Sequence, residues 1–177
     1  MRSLHSIISW GCWCLLAISA TGCGAKPTAP VANSPTNNKS AYRLANEPVG
    51  AIGIKEARSV VKDAEEVTLV GRIGGDVKPW IEGQAAFMVV DSALKPCNEK
   101  GTDDACETPW DYCCDADALT ANKALIKIVD GQGKTVATDA RQLLNVKELQ
   151  TVVVHGRAKR DETGNLTILA DGIFVRP

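Results

Sequence analysis

Five short apolar runs, each closed by glycine, proline or asparagine turns, dominate the second two-thirds of this 177-residue chain. VTLVGRIG (67–74) alternates with Val67, Leu69 and Ile73 on one face, and AAFMVVD (85–91) and ALIKIVD (124–130) follow it. TVVVHGRAKR (151–160) and LTILADGIFV (166–175) are separated by DETGN, a hairpin turn. Period-two alternation of this kind predicts half-buried strands, because successive side chains on a strand point to opposite faces. In the last run the alternation slips at Asp171-Gly172, which predicts a β-bulge. Two stretches carry a helical period instead. Ile54, Ala57, Val61 and Ala64 predict a helix over 54–64, and DARQLLNVKE (139–148) predicts another behind an Asp139 cap.

Three strands, a helix and two further strands is the element order of an OB-fold, a five-stranded, partly open barrel. The expectation is therefore a mainly β, OB-fold-like barrel over 51–177, with one or two short helices and a cysteine-rich insertion between strands two and three, at about 92–119. A small β-sandwich or another five-stranded barrel is the alternative. The strand series from 67 to 175 resembles the OB-fold domains of exported bacterial proteins. LKPCNE followed by CETPWDYCCD resembles, more narrowly, a group of secreted or lipid-anchored proteins of planctomycete-type bacteria. That likeness implies a fold and an address and supplies no catalytic residue.

The address is read from the N-terminus. MRSLHS carries one fixed positive charge, at Arg2, and IISWGCWCLLAISA is an apolar run too short to span a bilayer permanently. Small residues then lead to Cys23, as in bacterial lipoprotein signals. This resemblance implies a signal peptide at 1–22, a lipidated Cys23, and a protein held in the cell envelope on the periplasmic side or at the outer membrane. Ordinary signal-peptide cleavage or an uncleaved anchor are the other readings. Residues 23–50 are rich in Pro, Ala, Asn, Ser and Thr without hydrophobic period and predict a flexible tether of about 30 Å.

Loss of residues 1–22 removes Arg2 and leaves 19 basic against 21 acidic residues. A slightly acidic, aromatic-poor, exported domain lacks the basic groove and stacking platforms of a nucleic-acid binder, so no nucleic-acid partner is expected. His155 is the one histidine beyond the signal, and no G-x-S-x-G elbow, H-E-x-x-H or P-loop occurs, so an enzyme is not expected.

Export also sets the reading of Cys97, Cys106, Cys113 and Cys114, an even set inside 18 residues. In an oxidising compartment they predict disulfides, paired as Cys97–Cys113 with Cys106–Cys114 or as Cys97–Cys114 with Cys106–Cys113, stapling a loop with little apolar material. The alternative is a metal or thiol-redox site. Seven acids lie between 97 and 117 (Glu99, Asp103, Asp104, Glu107, Asp111, Asp115, Asp117), and thiolates with carboxylates suit zinc or copper. Against it, neighbouring residues of an extended chain point apart, so Cys113 and Cys114 would not face one ion. Trp80, in the loop after the first strand, is the leading candidate ligand contact, with Trp110, Tyr112 and Asp111 as further candidates. The function expected is a binding or assembly module for an envelope protein or glycan, with no cofactor.

Overall fold

The structure is a computed structural model that describes residues 41–101 and 106–177. The signal sequence, Cys23, the tether as far as residue 40, and Asp103 and Asp104 lie outside the described residues. Among the described residues no helix is long and apolar enough to cross a membrane.

Six strands form one sheet. In chain order the elements are β1 (Ile52–Gly53), α1 (Ile54–Val60), β2 (Glu66–Ile73), β3 (Ala86–Val90), α2 (Ala116–Asn122), β4 (Lys123–Ile128), α3 (Ala140–Leu144), β5 (Thr151–Arg160) and β6 (Leu166–Val175). The sheet order is β1-β2-β3-β4-β6-β5, and β2 also pairs with β5, which closes β2 to β6 into a five-stranded barrel. β4 and β6 are parallel, and the other barrel pairings are antiparallel. With α3 between the third and fourth barrel strands, this is the OB-fold arrangement.

The interior follows from the alternation. Leu69 and Ile73 of β2, Phe87 and Val89 of β3, Ile126 and Ile128 of β4, Val152 and Val154 of β5, and Leu166 and Ile168 of β6 are all buried. The bulge falls where the slip in pattern predicts it. His155 pairs with Gly172 and Gly156 with Ala170, so Asp171 is the extra residue, and its carboxylate reaches His155 Nδ1 at 2.7 Å.

Three expectations need correction. The helix predicted over 54–64 ends at Val60, because Val61 is extended and Ala64 takes a left-handed conformation (φ 63°). The Arg160 guanidinium gathers the freed helix-end carbonyls, donating to Ala57 (3.2 Å), Arg58 (2.6 Å) and Val61 (2.9 Å). The helix predicted over 139–148 is the five-residue α3, capped by Asp139 as expected but stopped by Asn145 in the left-handed region (φ 52°). Third, the end of the predicted tether belongs to the domain. Arg43 bridges to Ile173, the Leu44 N–H donates to the Ile173 carbonyl at 2.8 Å, and Glu47 pairs with Arg176 at 2.6 Å. Composition alone could not reveal this, since the segment borrows its backbone partners from β6.

Replacing Arg160 with alanine should cost about 2 kcal/mol, the loss expected when charged hydrogen bonds to a helix end are removed. Arg157→Ala, by contrast, breaks only an exposed pair with Glu66 at 3.6 Å and should stay within about 0.5 kcal/mol. Urea denaturation of the two variants tests this difference.

Candidate metal centre

The insertion leaves the barrel at Asp91, the C-terminal end of β3, and returns at α2. Asp91 is buried and ties three segments together. Its carboxylate accepts from the Lys55 N–H at the start of α1 and from the Ala93 N–H, each at 2.8 Å, while its own N–H donates to the Asn122 carbonyl at 2.8 Å. Between these ends the described residues make three short 3-10 turns, Cys97–Glu99, Pro109–Asp111 and Cys113–Asp115. They pack through a small core of their own, in which Tyr112 and Leu119 cover Val90, with Leu94 beside them. Val90 points away from the barrel interior, which is why β3 reads as continuously apolar rather than alternating.

Two glycines seat the insertion. The Gly75 N–H donates to the Trp110 carbonyl at 2.7 Å, and the Gly74 N–H donates to the Met88 carbonyl at 3.1 Å. A side chain on Gly74 would collide with that same Trp110 carbonyl. The glycine pair, which the sequence presents as a turn, is a docking seat for the chain that carries the site. Tyr112 locks the seat. It is fully buried and held at a left-handed φ of 58°. Its hydroxyl is buried with no hydrogen-bond partner among the described residues.

The cysteines converge. All four are free thiols; Cys97 is buried, Cys106 half-buried, and Cys113 and Cys114 exposed. The Cys97 and Cys113 sulfurs are 3.5 Å apart, far beyond the roughly 2.05 Å of a disulfide. The ligand atoms of Cys97, Cys106, Cys113 and Asp111 all lie within 4.8 Å of one another. Four sulfurs around zinc at about 2.3 Å would be separated by about 3.8 Å, so the Cys97–Cys113 spacing is close to a tetrahedral edge. Cys113–Asp115 is a 3-10 turn that brings the Cys113 sulfur into this group, and Cys114 is not among the grouped ligand atoms, in keeping with the expectation that the two neighbours do not face one ion.

Charge is arranged around Cys97. Burial alone would push its thiol up, but the Cys114 thiol and backbone N–H, with the thiols of Cys113 and Cys106, hydrogen-bond to its thiolate and draw it below the usual value. The Cys113 and Cys114 thiols are pushed up, in each case chiefly by the hydrogen bond to Cys97. Lys100 stands beside Cys97 and Cys114, paired with Asp115, whose hydrogen bond raises its pKa. Arg72 pairs with Glu99 at 2.6 Å across the same edge.

The remaining sequence candidates separate clearly. Asp111 joins the cysteines. Its two carboxylate oxygens accept from Thr108 Oγ1 at 2.9 Å and from the Cys113 N–H at 2.8 Å. Trp110 lies at the edge of the insertion, donating from Nε1 to the Val77 carbonyl at 3.2 Å. Trp110 and Tyr112 do not share a face, because Tyr112 leaves the turn left-handed and turns inward. Trp80, expected as a ligand contact, is a core residue. It is buried, Phe87 packs on its ring at 5.7 Å, the Arg141 guanidinium lies 5.5 Å from its centroid, and its Nε1 donates to Glu148 at 2.6 Å. Neither its edge nor its faces are available.

No family model matches this chain, and no curated protein matches it. Among solved structures it is similar to the hypothetical protein YgiW from E. coli, with 16% identity and a TM-score of 0.35 over 73% of this chain and 94% of that one. The metal-centre reading therefore stands on this molecule's own residues.

Burial pushes the Tyr112 phenol up from 10.0 to about 12. The folded state thus favours the neutral ring, so this contribution to stability is complete below pH 10 and is lost as the pH rises from 10 to about 12. Tyr112→Phe should abolish that loss and be neutral or slightly stabilising at pH 7, since it deletes a buried hydroxyl that has no partner. Thermal unfolding followed across the alkaline range tests both. Gly74→Ala should cost about 1–3 kcal/mol by forcing the insertion off its seat, measured as a fall in urea midpoint.

Proposed function

We propose that this protein is a metal-binding module of the cell envelope, anchored through a lipidated Cys23 and holding zinc in the insertion between β3 and β4. The observation that carries this reading is the convergence of the Cys97, Cys106 and Cys113 sulfurs and an Asp111 oxygen within 4.8 Å. Four donors, three of them thiolates, match the coordination number and softness that zinc takes in proteins. The carboxylate favours zinc over copper(I), which prefers sulfur alone. A bound ion would also shield these thiols from oxidation outside the cytoplasm, which removes the difficulty that export raises for a reduced cluster. Lys100, beside Cys97 and paired with Asp115, would offset part of the negative charge that three thiolates and a carboxylate bring to a divalent ion. The role proposed is binding.

The test is elemental analysis of protein purified from the envelope, paired with intact mass before and after alkylation. About one zinc per chain is the expected result, with Cys97, Cys106 and Cys113 alkylating only after chelation and the exposed Cys114 alkylating before it. A metal-free protein whose mass is lowered by two hydrogens for each disulfide would make the insertion a stapled loop. The barrel would then be left as a binding module for an envelope protein or glycan. Sulfur-only ligation of copper would redirect the assignment to copper handling.

A further inference from the structure

The two parallel strands that complete the barrel do not meet at their starts. β4 and β6 pair only from Leu125 opposite Thr167 onward. Just ahead of that point each strand is occupied along its other edge, Lys123 by Val90 of β3 and Leu166 by Arg160 of β5. The gap between the two starts is a cavity of about 410 Å³, to which β4 gives Lys123, Ala124 and Leu125 and β6 gives Leu166 and Thr167. Arg58 of α1, Thr120 of α2 and Met88 of β3 also line it. Arg160 ties two of its walls together, donating to the Arg58 carbonyl at 2.6 Å and to the Gly164 carbonyl of the β5–β6 turn at 3.4 Å. The cavity is therefore preformed, as binding cavities commonly are.

Its charges do not balance. Among the described residues neither Arg58 nor Lys123 makes an ion pair. The acid of the lining is Asp161, and its oxygens are taken up by its own turn. They accept from the Thr163 N–H at 3.0 Å, the Thr163 hydroxyl at 2.8 Å, and the Asn165 N–H and side-chain amide, each at 2.8 Å. The Arg58 guanidinium is held against β4 by one bond from Nη1 to the Lys123 carbonyl at 3.3 Å, which leaves its Nε and Nη2 edge open to a second, planar acceptor. The rest of the lining is aliphatic, with Met88 and Leu125 half-buried and Ala124 and Leu166 buried. No aromatic ring is among the lining residues described, so a sugar or a base would find no flat face to stack on.

We propose that this cavity binds a small aliphatic monocarboxylate, its carboxylate held by Arg58 and Lys123 and its hydrocarbon chain laid over Met88, Leu125 and Leu166. Two cations answer one carboxylate, and the charge of Asp161 disfavours a dianion such as phosphate. The hydroxyls of Thr120 and Thr167 add neutral donors at the same cavity. The inference is independent of the metal-binding reading, since none of Cys97, Cys106, Asp111 and Cys113 lines this cavity.

The probe is sodium octanoate, titrated into the full-length protein by calorimetry and followed by NMR of methionine methyl groups. Met88 is the one methionine besides Met1, so its methyl signal reports on the cavity directly. Octanoate should bind and shift that signal. Arg58→Gln and Lys123→Gln should each weaken binding about tenfold, the loss expected for one charge-assisted hydrogen bond. Lys134→Gln, which removes an exposed lysine outside the cavity, should leave the affinity unchanged. The methyl spectrum of each variant without octanoate shows whether its fold is intact, so a lost fold is not mistaken for a lost site. Wild-type protein that does not bind octanoate, or binds it with the Met88 methyl unmoved, would overturn the proposal. So would affinity for octanol equal to that for octanoate, or affinity unaltered by both glutamine variants. Tighter binding of glucuronate than of octanoate would overturn the aliphatic class and give the cavity to an acidic sugar.

Discussion

Closure of the barrel rests on how β2 divides its two edges. Along one edge it pairs with β5 from Glu66 to Arg72. Along the other it pairs first with β1, at Leu69 and Val70, and then with β3, at Arg72 and Ile73. A single eight-residue strand thus joins both halves of the sheet, and the parallel pairing of β4 with β6 completes the ring. Everything that positions the cysteines descends from this arrangement. The end of β2 delivers Gly74 and Gly75 beside the end of β3, and those glycines receive the Trp110 carbonyl and accommodate Tyr112. The insertion is therefore registered against two barrel strands at the point where they diverge.

That frame explains how a loop with few apolar residues holds its shape. Its small core is borrowed, since Val90 belongs to β3 and Leu119 to the helix that re-enters the barrel. Its two ends are clamped through Asp91. The cost shows in Tyr112, whose left-handed backbone and unpartnered hydroxyl are the signs of a residue placed for its neighbours rather than for its own comfort. Asp111 and Cys113 flank it in sequence and inherit their orientation from its anchoring.

Much of the barrel was legible in the chain, because alternation and turn residues report which face of a strand is buried, and even the bulge at Asp171 announced itself as a slip in period. What stayed hidden depended on long-range partners. The early stop of α1 is set by Arg160, about a hundred residues away, and the attachment of residues 42–44 by β6. The packing of Trp80 could not be read from its loop position, because Phe87, Arg141 and Glu148, which surround it, are distant in sequence. At the site, the residue types were evident but their grouping was not. The divergence of neighbouring residues separated Cys113 from Cys114, and the structure gathers Cys113 with Cys97 and Cys106 while Cys114 is not in the group. The role of Asp111 was visible as one acid among seven, with nothing in the spacing to single it out.

The residues of the cysteine cluster lie together in the chain, from Cys97 to Cys113, whereas the barrel closes only when β6, ending at Val175, reaches β4. Local contacts form before distant ones, since they carry a smaller loop-closure cost. During synthesis the thiols therefore emerge and can gather while the barrel is still an open sheet. For that interval they are protected neither by the finished fold nor by their seat. An ion captured then would guard the thiols against mispairing and pin β3 near β4 before the last strand arrives. The order of residues along the chain thus makes the cluster a candidate early event in the protein's own maturation.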